Sequence, residues 1–282
     1  MEKRSIHSFC WISGWGPDSA KFVAPRAASA GFDHVVVPLR DHSVIDPDAI
    51  ARTFEEYGIT AVVSANLLPE ADISSLDSEI RQRGMERHRA SFRLARDMGA
   101  VHVGGITYSL FGKADRPASD ESRKYSADAL GTLAEEARPM GLRVAMELLN
   151  RYETNMLNTV DQGLAFLRIA GSDNLYLHLD TFHMNIEEVD MMQALKKALP
   201  HLAYFELDQN DRGPLDRGQI DFQPLLAFLK NADYDKLIGV EAFSNAVSGP
   251  DIVRGVSAWR DLFRSGDEIA ASAARVLSRI DD

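Results

Sequence analysis

Short β-branched or aliphatic runs alternate with longer amphipathic stretches along the whole chain, the pattern of a parallel sheet wrapped in helices. The runs predict strands over residues 6–11, 34–38, 60–64, 102–106, 143–147, 175–180, 203–206 and 237–241. The stretches between them read as helices. In residues 78–98, for example, Ile80, Met85, His88, Phe92 and Ala95 recur at spacings of three to five and give one buried face. Several helices are expected to end at a glycine just before the next strand, at Gly31, Gly58, Gly99 and Gly141, where a left-handed residue closes the last turn. Pro200 is expected to stop the helix over 191–199.

Paired in order, these elements predict a single (β/α)₈ TIM barrel over residues 1–282. No linker rich in Pro, Gly or Ser divides the chain, so one domain is expected. An open doubly wound sheet is the competitor, but the turn after strand one reads WISGWG (residues 11–16), which is not a glycine-rich phosphate fingerprint.

Charge narrows the function classes. With 42 acidic against 31 basic residues the formal charge is -11, which repels a phosphate backbone, and no Lys/Arg run offers a basic patch. No nucleic acid is expected as a partner. No stretch approaches the roughly 18 apolar residues of a membrane span. Cys10 is the only cysteine, and the opening MEKRSIHSFC lacks the apolar core of a signal peptide, so a reducing cytoplasm is expected.

The candidate chemistry gathers late in the chain. Glu147, Asp180, Glu206 and Glu241 each close a predicted strand, and the C-terminal strand ends of a barrel converge on one mouth. One such acid reads as readily as a helix N-cap, but a succession of them would repel unless a cation intervened. An all-oxygen set suits Mn²⁺ or Mg²⁺ better than zinc. His183, just beyond Asp180, is placed to reach the mouth, as are Arg151 and Glu153 beyond Glu147. Arg212 falls in a Gly- and Pro-containing loop suited to holding hydroxyls or an oxyanion. Phe9, Trp11, Trp15 and Phe111 are aromatic candidates for the apolar face of a sugar ring.

The segments MELLNRYETN (146–155), LDTFHMNIEE (179–188), FELDQNDRGPLDRGQIDF (205–222), VEAF (240–243) and GVSAWRDL (255–262) closely resemble the ketose 3-epimerases of the xylose-isomerase-like barrels. The resemblance implies a divalent metal, Mn²⁺ or Co²⁺, bound by Glu, Asp, His and Glu, with the glutamates also exchanging the C3 proton of a ketose. Carried over, the glutamates fall on Glu147 and Glu241 and the aspartate on Asp180, with substrate contacts on Glu153, His183 and Arg212. Counting back from GQIDF, the metal histidine falls on Glu206. Gln209 stands where the family tends to carry Glu, Phe111 where it often has Trp, and the loop over 65–77 also differs.

The mechanism expected on both grounds is proton abstraction next to a carbonyl, with one glutamate removing the proton and the other acting from the opposite face. Return of a proton gives epimerisation; loss of a β substituent gives elimination, the outcome in lyases acting on 3-keto-glycosides. A non-enzymatic sugar-binding module is a weaker alternative. A small sugar or glycoside is the expected ligand, with a homo-oligomer, or a second subunit under the eliminative reading. The anionic Glu206 is expected to weaken the site toward unactivated ketoses.

Overall fold

The computed structural model describes residues 3–281. Eight parallel strands close into a barrel in sequence order. They are β1 (Lys3–His7), β2 (His34–Leu39), β3 (Thr60–Ala65), β4 (His102–Gly104), β5 (Arg143–Glu147), β6 (Leu175–Asp180), β7 (Leu202–Leu207) and β8 (Leu237–Val240). Around them run α1 (Ser19–Ser29), α2 (Pro47–Glu56), α3 (Ser78–Asp97), α4 (Asp120–Ala137), α5 (Val160–Ala170), α6 (Thr181–Glu187), α7 (Met191–Ala198), α8 (Gln223–Asn231), α9 (Pro250–Val256) and α10 (Gly266–Asp281). The expected TIM barrel is the observed fold, and none of the described helices is long and apolar enough to cross a membrane.

Both faces of the strands are covered, so they read as apolar runs rather than alternating ones; every residue of β2 and β7 is buried. Outward-facing residues such as Val35, Val37, Leu177 and Leu179 join the main core beneath the helices. Each such side chain contributes roughly 1.5–3 kcal/mol on burial. Inward-facing Val36, Val62, Tyr204 and Leu237 pack against one another and fill the lumen.

Two strands differ from expectation for local reasons. β1 ends at His7 rather than Trp11, because the His7 ring accepts the Phe9 N–H at 3.2 Å and turns the chain into a 3₁₀ turn over Ser8–Cys10. β4 stops at Gly104, since Gly105 takes a φ of 84° and packs its backbone against Ser64 and Ala65. The helix closures at Gly31, Gly58, Gly99 and Gly141 do adopt positive φ.

Register fixes the site. Glu147 pairs with His178, Asp180 with Glu206, and Glu206 with Gly239. Residues paired in this way share a face, so these side chains are directed together toward the barrel axis.

Candidate active site

A cavity of about 280 Å³ opens at the C-terminal mouth, lined by Glu147, Glu153, His183, Arg212, Glu241 and His7 on its polar side. Phe9, Pro38, Leu110, Phe111, Phe243 and Ile252 form much of its apolar wall. Trp15 is not in that lining and packs half-buried against the main core, while Trp11 donates its indole N–H to Asp267 at 2.7 Å. Arg151 turns outward and makes a two-pronged pair with Glu187 at 2.9 and 2.8 Å.

Arg212 is the centre of the polar side. Its backbone sits in the left-handed region, φ 60°, an uncommon conformation for a side chain of this size. The turn is held by the Arg212 N–H donating to the Gln209 carbonyl at 2.8 Å and the Phe243 N–H donating to the Arg212 carbonyl at 2.9 Å. Arg212 is 4% exposed, and its guanidinium lies over the rings of Phe182 and Phe243 at 4.1 and 5.0 Å. It stands 3.5 Å from carboxylate oxygens of Glu153, Asp208 and Glu241. Gln209 organises the loop. Its amide donates to the Leu215 and Ile220 carbonyls and accepts the Asn210 and Ile220 N–H groups, a two-sided role that a glutamate, an acceptor only, cannot fill.

The tautomer of His183 follows from Asn150, a residue the sequence reading passed over. Asn150 donates its backbone N–H to His183 Nδ1 at 3.1 Å and its side-chain amide at 2.8 Å. Nδ1 is therefore an acceptor, and the ring proton sits on Nε2. Burial opposes a charge on this ring, Glu153 and Asp180 favour one and raise its pKa, but the Asn150 N–H leaves Nδ1 no room for a second proton. Nε2 lies 3.5 Å from Glu147 and 3.1 Å from an Arg212 nitrogen. The guanidinium can only donate, so with the proton on Nε2 the 3.1 Å contact sets two donors against each other, and a substrate oxygen accepting from both would relieve it.

Candidate ligand atoms fall into overlapping groups, each within 4.8 Å: Glu147, Asp180 and His183; Glu147, His178 and Glu206; Asp180, Asp208 and Glu241. Asp180 uses one oxygen as the N-cap of α6, accepting the Phe182 N–H at 2.6 Å, so the capping reading holds for half of the carboxylate. Its Oδ2 is buried without a hydrogen-bond partner. Burial, with Glu206 and Glu147 adding to it against His183 and Arg212, raises the Asp180 pKa to about 6. Burial and Glu206 likewise push Glu241 well above the carboxylate range. Glu147 differs: burial raises it, but His178, His183 and Arg212 outweigh that and bring it down to about 2. Unpartnered hard oxygens among strained carboxylates fit a divalent cation.

Glu206 groups its ligand atom with Glu147 and His178. It is 2% exposed and meets Tyr204 and His178, both at 3.0 Å, over a void of about 20 Å³, room for one water. Burial opposes charge on His178, yet Glu147, Glu206 and Asp180 together raise its pKa. Glu206 thus has the His178 ring as a hydrogen-bonded partner whose charged form its own charge favours. His7, His178, Tyr204 and Asp208 were not singled out from the sequence. The signal for Asp208 was available, an acid two residues beyond Glu206 and so on the same face of an extended chain.

The model of the family described as xylose isomerase-like TIM barrel matches residues 24–266. The L-ribulose 3-epimerase of Methylomonas sp. (strain DH-1) is 34% identical, over 97% of this chain and 96% of its own length. The ketose 3-epimerase of Arthrobacter globiformis is 33% identical, over 96% and 94% respectively. A crystal structure of D-allulose 3-epimerase from Methylomonas sp. in complex with D-allulose superposes with a TM-score of 0.94 at 33% identity, covering 99% of this chain and 96% of that one. With the closed barrel, the acidic mouth and this similarity along almost the full length, the chain belongs to the xylose isomerase-like TIM barrel family.

Proposed function

We propose that this chain is a divalent-metal-dependent ketose 3-epimerase that moves the C3 proton of a free ketose between Glu147 and Glu241. The observation that carries the reading is that these two glutamates, from the ends of β5 and β8, line one cavity with Arg212 and His183. Its support from relatives is that those reported above are named as epimerases of ketoses. The eliminative alternative is not favoured by that company.

Glu147, Asp180 and Glu241 are the residues that would hold the ion. A divalent ion supplies positive charge that stabilises negative charge developing on a substrate oxygen, and the oxygen-rich donor set favours Mn²⁺, with Mg²⁺ or Co²⁺ as substitutes. In the proposed step one glutamate carboxylate takes the proton from C3 and the C–H electron pair moves toward the C2 carbonyl oxygen. The other glutamate delivers a proton to the opposite face of C3, which inverts it. His183 Nε2–H and the Arg212 guanidinium hold substrate oxygens, with Glu153 accepting from a hydroxyl. Phe9, Phe111 and Phe243 cover the apolar face of the sugar and keep bulk water from the exchanging proton.

Incubation with Mn²⁺ and either L-ribulose or D-allulose, followed by chromatography of the sugars, tests the reading. The expected result is the C3 epimer, lost on chelation. Turnover of a 3-keto-glycoside with no action on any ketose would overturn it.

A further inference from the structure

The expected metal position on β7 is already engaged. Tyr204 O–H donates to Glu206 Oε1 at 3.0 Å, His178 Nε2–H donates to Oε2 at 3.0 Å, and the Tyr204 hydroxyl is tied to Ser5 Oγ at 2.7 Å across the lumen. Turning Glu206 toward an ion shared with Asp180 and Glu241 would leave buried donors on His178 and Tyr204 unmatched. Glu206 groups with Glu147 and His178 instead.

Asp208 is in the opposite condition. It is 0% exposed, and neither carboxylate oxygen has a hydrogen-bond partner. The nearest cationic atom, Arg212 Nε at 3.5 Å, also lacks a hydrogen bond. Its backbone is pinned by Thr181, which donates its hydroxyl to the Asp208 carbonyl at 2.8 Å and accepts the Asp208 N–H at 2.9 Å. That clamp fixes the carboxylate beside Asp180 and Glu241, with ligand atoms within 4.8 Å. A buried charged carboxylate without a hydrogen-bond donor is costly unless a cation meets it, and the ion pair with Arg212 Nε at 3.5 Å leaves both of its oxygens without a hydrogen bond.

We propose that Asp208, and not Glu206, joins Asp180 and Glu241 as a protein ligand of the divalent ion. The ligand position on β7 has moved two residues toward the mouth, onto the next side chain of the same face. Glu206 acts as a positioning residue that holds His178 and Tyr204 in the floor. The proposal rests on the metal-dependent reading given above.

Calorimetric titration of Mn²⁺ alone into the metal-stripped full-length protein tests it without reference to turnover. Asp208→Asn is expected to bind at least about tenfold more weakly than wild type, while Glu206→Gln stays within about threefold. Should the Asp208→Asn protein fail to give a native circular dichroism spectrum, Asp208→Ser carries the same expectation. Undiminished binding in the Asp208 variant, or a tenfold loss in Glu206→Gln, overturns the assignment alone. A wild type that takes up no Mn²⁺ overturns the metal-dependent reading, and the assignment with it.

Discussion

At the scale of single residues the site is governed by which hydrogen-bond capacity each polar atom has left. Asn150 occupies His183 Nδ1, so His183 presents a proton rather than a lone pair to the cavity. His183→Ala is therefore expected to lower kcat/KM by about 10- to 100-fold while metal content stays at the wild-type level. Metal analysis beside the kinetics checks this, and loss of metal would show that His183 is a ligand. The residue types at strand ends were legible because carboxylates in succession there are unusual and topology brings them together. Their partners were not legible. Nothing in a linear sequence shows that Glu206 is satisfied by His178 from β6 and by Tyr204 two residues back on its own strand, or that Asp208 is left without a donor, since which side chains meet is decided by packing inside the barrel.

At the scale of elements, hydrophobic runs located the strands well where both faces are covered, as in β2, β3, β5 and β6. They overran at β1 and β4, where a side-chain cap and a positive-φ glycine end the strand inside an apolar run. Helix packing is similarly specified by single positions. Gly131 in α4 sits against the end of α5, where an added Cβ would overlap the Ala170 carbonyl oxygen. Gly131→Ala should destabilise the fold by about 1–3 kcal/mol through this overpacking, measured by denaturant unfolding, with Mn²⁺ affinity unchanged because the contact is on the outer layer. An unaltered unfolding midpoint would show that the helices part at no cost.

At the scale of the whole molecule, a closed barrel concentrates buried carboxylates from separate strands at one mouth of an acidic protein. Ion binding to the native state alone is linked to stability, by about 2.7 kcal/mol at a hundredfold excess over Kd. Stripping the metal should lower Tm by about 5 °C, a shift of the size expected for a chain this long. Scanning calorimetry with and without Mn²⁺ reads it directly, and an identical Tm in both states would contradict a site built around a cation. The measurement that bears most directly on the central claim is proton NMR of a ketose incubated in D₂O with the Mn²⁺-loaded enzyme. Wild type should place deuterium at C3 of both epimers, and Glu147→Gln and Glu241→Gln should each slow turnover by about 100-fold or more, since an amide cannot serve as a base at neutral pH. Exchange at a different carbon, or wild-type C3 exchange in both variants, would contradict the account.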